Sequence, residues 1–203
     1  VAEHTIGLML ALARHIPRAH AALSEGKWIK SVLEGLQLSG KVLGIVGLGH
    51  IGMEVARRAQ AFDMHVIAYD PAITPERAAQ ADVDALSWEE LLCRSDFITL
   101  HLPLTPQTRG IIGRAELQAM KRGAYLINCA RGGLIDESAL AEALNAGHLA
   151  GAALDVFENE PPVGSPVLSC PRVVLTPHLA ASTADAQRAA ALDVAEQIVD
   201  VLA

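Results

Sequence analysis

Val42-Leu43-Gly44-Ile45-Val46 runs straight into Gly47-Leu48-Gly49-His50-Ile51-Gly52, and an amphipathic stretch, Ile51–Phe62, begins at once. A β-branched apolar run, a Gly-X-Gly-X-X-Gly turn and a helix together form the opening unit of a dinucleotide-binding fold. Each glycine has its own task there. Gly47 makes the tight turn, Gly49 lets the backbone approach a pyrophosphate, and Gly52 lets the helix pack on the strand. The helix N-terminus adds free N–H groups and a partial positive charge for the phosphates. The next apolar run ends at Asp70, close to the ~20-residue offset of the acid that bonds a ribose 2′-hydroxyl. A carboxylate there repels a 2′-phosphate, and Pro71-Ala72 offers no arginine to receive one, so the expected cofactor is NAD rather than NADP. A methyltransferase would share the glycines and the acid, so this stretch alone leaves the chemistry open.

Working outward, short apolar runs alternate with helical stretches. The expected strands are Val42–Val46, His65–Tyr69, Phe97–Leu100, Tyr125–Asn128, Ala152–Leu154 and Val173–Thr176. Between them lie helices at Ile51–Phe62, Trp88–Cys93, Arg114–Met120 and Glu137–Ala146, with a last one from about Thr183 to Leu202. Strands alternating with helices imply βαβ units, and continuous apolar strands imply a parallel sheet covered on both faces. The expected fold is therefore α/β, a doubly wound parallel sheet of the Rossmann type. Residues 1–24 read as one long helix, apolar on almost every side, which suits burial against a second domain or subunit. A homodimer through that helix is the expected assembly.

Composition narrows the partners. Aromatics are only 3% of the chain and its net charge is −7, which argues against base-stacking platforms and against anionic membrane or nucleic-acid surfaces. Small molecules and other protein chains remain. The longest apolar stretch near the start, Ile6–Ala13, is far shorter than the ~20 residues of a membrane span. Three cysteines, Cys93, Cys129 and Cys170, are odd in number and have no CxxC spacing. They indicate neither a disulfide framework nor a zinc ribbon, and fit a reducing cytoplasm. No His/Cys group has metal-ligand spacing, so no metal is expected. The first residue is Val1, with no targeting segment, and the chain reads as a piece of something longer.

Polar residues gather at strand ends in the second half. Arg131 follows the strand Tyr125–Asn128, at the edge where parallel sheets bind ligands, and its planar fork suits a carboxylate. It would equally serve as a surface residue beside the helix that starts near Asp136, and both readings stand at this stage. Asp155 closes the next strand, Glu160 precedes Pro161-Pro162, and His178 follows Pro177 at the last strand's end. A carboxylate within reach of a histidine favours the imidazolium and fixes its tautomer, giving an acid–base group that works near neutral pH. His4, His15, His20, His65 and His148 read as structural. His50 belongs to the phosphate loop, and His101 lies at a strand end without an obvious partner.

These segments, in this order, resemble one family. Gly44–Gly52, Tyr69–Pro71, Ser95–Thr105, Asn128–Glu137, Gly151–Pro162 and Pro177–Thr183 look like the D-isomer-specific 2-hydroxyacid dehydrogenases, with the phosphoglycerate dehydrogenases as the branch most resembled. The resemblance spans essentially the whole chain and implies an NAD-binding domain over residues 1–203. It implies a catalytic set of Arg131, Glu160 and His178, with Arg131 holding the substrate carboxylate. Asp155 would contact the nicotinamide end, and Gly47, Gly49, His50, Ile51, Gly52 and Asp70 the pyrophosphate and adenosine ribose. Leu102, Cys129, Ala130, Arg131, His178, Ala180 and Ala181 would supply further cofactor contacts. The implied reaction is hydride exchange between NAD and a D-2-hydroxy acid, 3-phosphoglycerate being one candidate. Some relatives of this fold act instead as NAD(H)-sensing corepressors, which is the rival reading.

The sequence departs from the family in two places. Asp63 stands where the family commonly has Gly, at a turn. The family's substrate domain is built mainly from residues preceding a helix like 1–24, and residues 184–203 would form the helix that returns to it.

Overall fold

The computed structural model describes residues 1–188. Seven strands form one sheet, all parallel, in the order β3-β2-β1-β4-β5-β6-β7. They are β1 (Val42–Val46), β2 (His65–Tyr69), β3 (Asp84–Ala85), β4 (Phe97–Leu100), β5 (Tyr125–Asn128), β6 (Gly151–Leu154) and β7 (Val173–Leu175). Chain order reverses direction between β1 and β4, which opens a crevice outside their carboxyl ends. Every residue of β4, β5 and β6 is buried, as expected of parallel strands covered on both faces. The doubly wound fold read from the sequence is the fold of the chain.

Helices α1 (Ala2–Ala13), α2 (Ile16–Ser24), α3 (His50–Gln60), α4 (Pro75–Ala81), α5 (Trp88–Arg94), α6 (Arg114–Ala119) and α7 (Glu137–Asn145) connect and cover the strands. Two 3₁₀ turns, Lys30–Val32 and Pro166–Ser169, lie in the connectors. One apolar cluster joins α1 and α3 to one side of the sheet, with Met9, Leu43, Ile45, Val55 and Phe97 fully buried. The other joins α5, α6 and α7 to the opposite side through Leu91, Ile98, Leu117, Leu126 and Leu140. Phe97 stacks on Tyr125 at 4.8 Å between ring centres. At the opposite end from the crevice, Asp96 accepts from the Val42 amide at 2.9 Å and from Lys121 at 2.6 Å, tying three strand starts together.

The first helix departs from expectation. Residues 1–24 are two helices, not one, broken at Arg14-His15, where His15 adopts φ +53°. Pro17 is the cause: its ring excludes the carbonyl four residues back, and that carbonyl, on Ala13, accepts from the Leu36 amide instead. The apolar surface of α1 is also used within the chain, where Ile6, Met9 and Leu12 pack in the core cluster under the sheet. By contrast α2 buries nothing. Asp63 does sit in a left-handed turn, at φ +57°, so an L residue occupies a conformation that glycine adopts more freely. The expected helix at 184–203 falls mostly outside the described residues.

Candidate active site

The residues singled out in the sequence converge because nearly all of them follow a strand. Gly47 comes after β1, Asp70 after β2, His101 and Leu102 after β4, Cys129 to Arg131 after β5, Asp155 after β6 and His178 after β7. In a parallel sheet all these ends lie on one edge.

The phosphate loop has the geometry that the glycines imply. At Gly47, φ is +95° and a Cβ would lie 2.7 Å from the His101 carbonyl oxygen. At Gly52 a Cβ would lie 2.2 Å from the Gly47 carbonyl oxygen. At Gly49 a Cβ would meet nothing within 4 Å. The first and third glycines therefore answer to internal crowding, whereas the second borders open space at the N-terminus of α3, where no side chain caps the helix. That is the fit a dinucleotide's pyrophosphate requires. Asp70 stands beside it, its Oδ2 accepting from the Leu48 amide at 2.9 Å and its Oδ1 from the Ala72 amide at 2.8 Å. The acid is thus fixed against the loop at the end of β2. His50 is exposed and Ile51 half-buried on the first turn of α3.

His101 does have a partner, the Thr99 hydroxyl at 3.0 Å from Nε2. Burial pushes its imidazole down to about 4, so the ring is neutral at physiological pH. Cys129 is buried, and that burial pushes its thiol up to about 12. It contributes backbone, not sulfur chemistry, to the edge.

After β5, Asn128 shapes the turn that carries Arg131. Its Nδ2 donates to the Arg131 carbonyl at 2.9 Å and its Oδ1 accepts from the Ala130 amide at 3.0 Å. Gly132 lets this turn press against the next loop, since a Cβ there would overlap the Phe157 carbonyl oxygen at 1.7 Å. The Arg131 side chain is exposed, donating from Nη1 to the Ala130 carbonyl at 2.6 Å. Among the described residues it makes no bond to Glu160 or His178.

Glu160 and His178 do meet. His178 Nδ1 lies 2.8 Å from Glu160 Oε2. Hydrogen bonding from His178, opposed by a smaller burial cost, holds the Glu160 carboxyl below its ordinary range. Beside the pair opens a cavity of about 400 Å³ lined by Phe157, Glu160, Leu168, Leu175, Pro177 and His178. The loop carrying Glu160 is anchored by Glu137, which accepts from the Glu158 amide and from the Ser165 hydroxyl.

His178 has φ +56°, a left-handed conformation uncommon for a residue with a Cβ. Asp155 holds it there. Its main-chain carbonyl accepts from the His178 amide at 2.8 Å, and its carboxylate accepts from the amides of Leu179 at 2.7 Å and Ala180 at 2.8 Å. Thr176 Oγ1 adds a fourth bond at 2.5 Å. This bracing by Asp155, and the shaping of the Arg131 turn by Asn128, were not read from the sequence. Only the placing of an acid and an amide at strand ends hinted at them. Ala180 is buried and Ala181 exposed on the same turn.

Comparison with known proteins agrees with this geometry. The model of the D-isomer specific 2-hydroxyacid dehydrogenase NAD-binding domain matches residues 6–180. A D-3-phosphoglycerate dehydrogenase of Methanocaldococcus jannaschii is 55% identical over the whole chain, and one from Bacillus subtilis is 50% identical over 97% of it. The chain spans 39% and 38% of their respective lengths. A glyoxylate reductase from Paecilomyes thermophila is 42% identical with a TM-score of 0.88, covering 94% of this chain and 58% of its own. An NAD-dependent formate dehydrogenase from Staphylococcus aureus, solved with NAD, is 34% identical with a TM-score of 0.86, covering 98% of this chain and 61% of its own. With its fold, its glycine loop and its family match in agreement, the chain belongs to the NAD-binding domains of the D-isomer specific 2-hydroxyacid dehydrogenases.

Proposed function

We propose that this chain is the cofactor-binding part of an NAD-dependent dehydrogenase acting on a D-2-hydroxy acid, 3-phosphoglycerate being the first candidate. The observation that carries the reading is the 2.8 Å pair of Glu160 and His178 on the same sheet edge as the Gly47–Gly52 loop. NAD, when bound, supplies the hydride acceptor. Gly49 and the first turn of α3 would receive its pyrophosphate and Asp70 its adenosine ribose. Leu102, Cys129, Ala130, Asp155, Ala180 and Ala181 would line the remainder of its path.

The chain's own residues account for the proton and the charge. His178, oriented through Nδ1 by Glu160, takes the hydroxyl proton in oxidation and returns it in reduction through Nε2. In the reduction direction negative charge develops on the carbonyl oxygen, where an imidazolium and a guanidinium are stabilising. Arg131, which among the described residues spends one donor on the Ala130 carbonyl, is suited to hold the substrate carboxylate. Phe157, Leu168 and Leu175 give the cavity beside the pair an apolar wall, against which the carbon skeleton of a substrate would lie.

The corepressor-type sensor would need the cofactor site but not the acid–base pair, so Glu160 and His178 favour turnover. As the assembly we propose a homodimer. Ile16, Leu23, Trp28 and Val32, between 52% and 79% exposed, form the apolar surface of α2 and its following connector, where a second copy would pack. A cytoplasmic location fits the free thiols of Cys93, Cys129 and Cys170. Among the described residues no helix is long and apolar enough to cross a membrane. The full-length parent enzyme, given NAD and a panel of D-2-hydroxy acids, should form NADH with at least one of them. NADH binding without turnover across the panel would reverse the choice between enzyme and sensor.

A further inference from the structure

His4 lies in the first turn of α1, at the opposite end of the chain from the catalytic loop, yet the fold brings the two together. Its Nε2 is 3.1 Å from Thr176 Oγ1 and 3.4 Å from Asp155 Oδ1. The Asp155 side chain is fully buried and that of His4 is 25% exposed. Thr176 Oγ1 donates to Asp155 Oδ1 at 2.5 Å, which commits its hydroxyl proton to the acid. The hydroxyl can then only accept from His4, which fixes the tautomer with the proton on Nε2. The relay runs from His4 N–H to Thr176 O–H to Asp155, whose two oxygens receive the Leu179 and Ala180 amides.

We infer that His4 is a positioning residue for the catalytic loop, acting through Thr176 and Asp155 to hold Leu179 and Ala180 and so keep His178 in its left-handed conformation. It touches neither Glu160 nor the cavity beside His178, so its effect is geometric. Without the imidazole donor the Thr176 hydroxyl is free to turn from Asp155, and a buried acid that loses a donor re-orients or draws in water. Either response moves the two amides that follow His178. A displacement of about 1 Å at a reacting group is enough to lower turnover by up to ~10²-fold. Glutamine at position 4 can place an amide N–H near where Nε2 stands, whereas leucine fills the space without donating.

The inference rests on the proposed dehydrogenase activity for its kinetic arm alone. In the full-length parent enzyme, His4→Leu should lower kcat by about tenfold and raise KM for NAD by less than that, because the nicotinamide end of the site moves while the adenosine half is untouched. Amide hydrogen exchange at Leu179 and Ala180 should quicken by about tenfold or more while β1 stays protected. His4→Gln should restore most of both. Thr176→Val, which breaks the relay without altering α1, should reproduce the pattern if His4→Leu does not fold. Exchange at Leu179 and Ala180 unchanged in either relay-breaking variant overturns the inference, as does a Gln variant as impaired as the Leu variant. If the parent turns over no D-2-hydroxy acid, the functional reading fails and the exchange arm still decides the role of His4.

Discussion

Nδ1 of His178 and Oε2 of Glu160 lie 2.8 Å apart although the residues are 18 positions apart in the chain. In the function proposed above, the contact decides which imidazole nitrogen does the chemistry, because Nδ1–H donates to the carboxylate and leaves Nε2 to face the substrate hydroxyl. Replacing His178 with Ala in the parent enzyme should therefore lower kcat by ~10²–10⁴-fold, with little change in NADH affinity. Steady-state kinetics with a fluorescence titration of NADH checks both halves.

Glu160→Gln keeps the hydrogen-bonding shape and removes the charge. The neutral amide fixes the His178 ring less firmly than the carboxylate, so kcat of hydroxy-acid oxidation should fall by about tenfold or more with NADH affinity little changed. The same pair has a stability consequence of fixed sign. Since the Glu160 carboxyl is held below its ordinary range, chiefly by hydrogen bonding from His178, its contribution is present above the usual carboxylate pKa and is lost as pH falls through the lowered value. An unchanged kcat in the Gln variant would mean that the pair does not act together in turnover.

The phosphate loop separates folding from binding at two neighbouring glycines. A Cβ at Gly52 would meet main-chain oxygen at 2.2 Å, which no rotamer can relieve, whereas one at Gly49 would meet nothing within 4 Å. Gly52→Ala should cost ~1–3 kcal/mol, the range for overpacking, and weaken NADH binding with it. Gly49→Ala should leave the urea midpoint nearly unchanged and still weaken NADH binding, because its methyl occupies the pyrophosphate's approach. Equal loss of stability in the two variants would remove Gly49 from the cofactor site.

Asp70 should set cofactor choice. Its carboxylate is held by the Leu48 and Ala72 amides at the end of β2, where the proposed function puts the adenosine ribose. Asp70→Ala should weaken NAD while leaving NADP binding equal or better, since the acceptor and the repulsion of a 2′-phosphate disappear together. Calorimetry with both cofactors tests this, and equal losses would contradict it.

Much of this was legible because parallel strands are written as apolar runs and their carboxyl ends share one edge. Gly47, Asp70, Asp155 and His178 could be placed from the run that precedes each. What escaped notice lacks that signal. The strand Asp84–Ala85 is two exposed residues at the sheet edge, and the helix Pro75–Ala81 is a short polar turn after a proline. Neither carries a hydrophobic period. The helix break at Arg14-His15 was written in Pro17, but the apolar run on both sides outweighed it. The bracing role of Asp155 was not legible because its bonds to the Leu179 and Ala180 amides, 24 and 25 residues away, depend on a loop conformation that no spacing reveals.

His101 gives the fold a pH dependence of its own. In the unfolded chain its imidazole takes a proton near 6.5, whereas burial holds it to about 4 in the folded chain. The unfolded state therefore binds the extra proton in that window, and stability should fall as pH drops from about 6.5 towards about 4. Carboxylates such as Glu160, held below their ordinary range, act only at lower pH. His101→Gln, which can still bond Thr99, should flatten the loss between pH 7 and 5 in urea unfolding. The same slope in wild type and variant would mean that another group sets it.

The 203-residue chain by itself should bind NADH and fail to turn over substrate. The cofactor residues from Gly47 to Ala181 belong to one sheet with apolar clusters on both faces, so the binding surface does not wait for another domain. Turnover makes a further demand. Arg131 and His178 are exposed in this chain, and a hydroxy acid held from one side only is neither desolvated nor aligned with the nicotinamide. The curated relatives extend well beyond the match, which covers 39% of the M. jannaschii enzyme, and we expect the opposing wall of the cleft to come from there. Association should nevertheless persist, because Ile16, Leu23, Trp28 and Val32 lie outside the core on a segment that the sheet does not use. Light scattering should report a dimer, and Trp28→Glu, which puts a charge on the most exposed of these four side chains, should give a monomer with NADH affinity unchanged. Substantial dehydrogenase activity from a monomeric chain would place the substrate on this domain alone and remove the need for either partner surface.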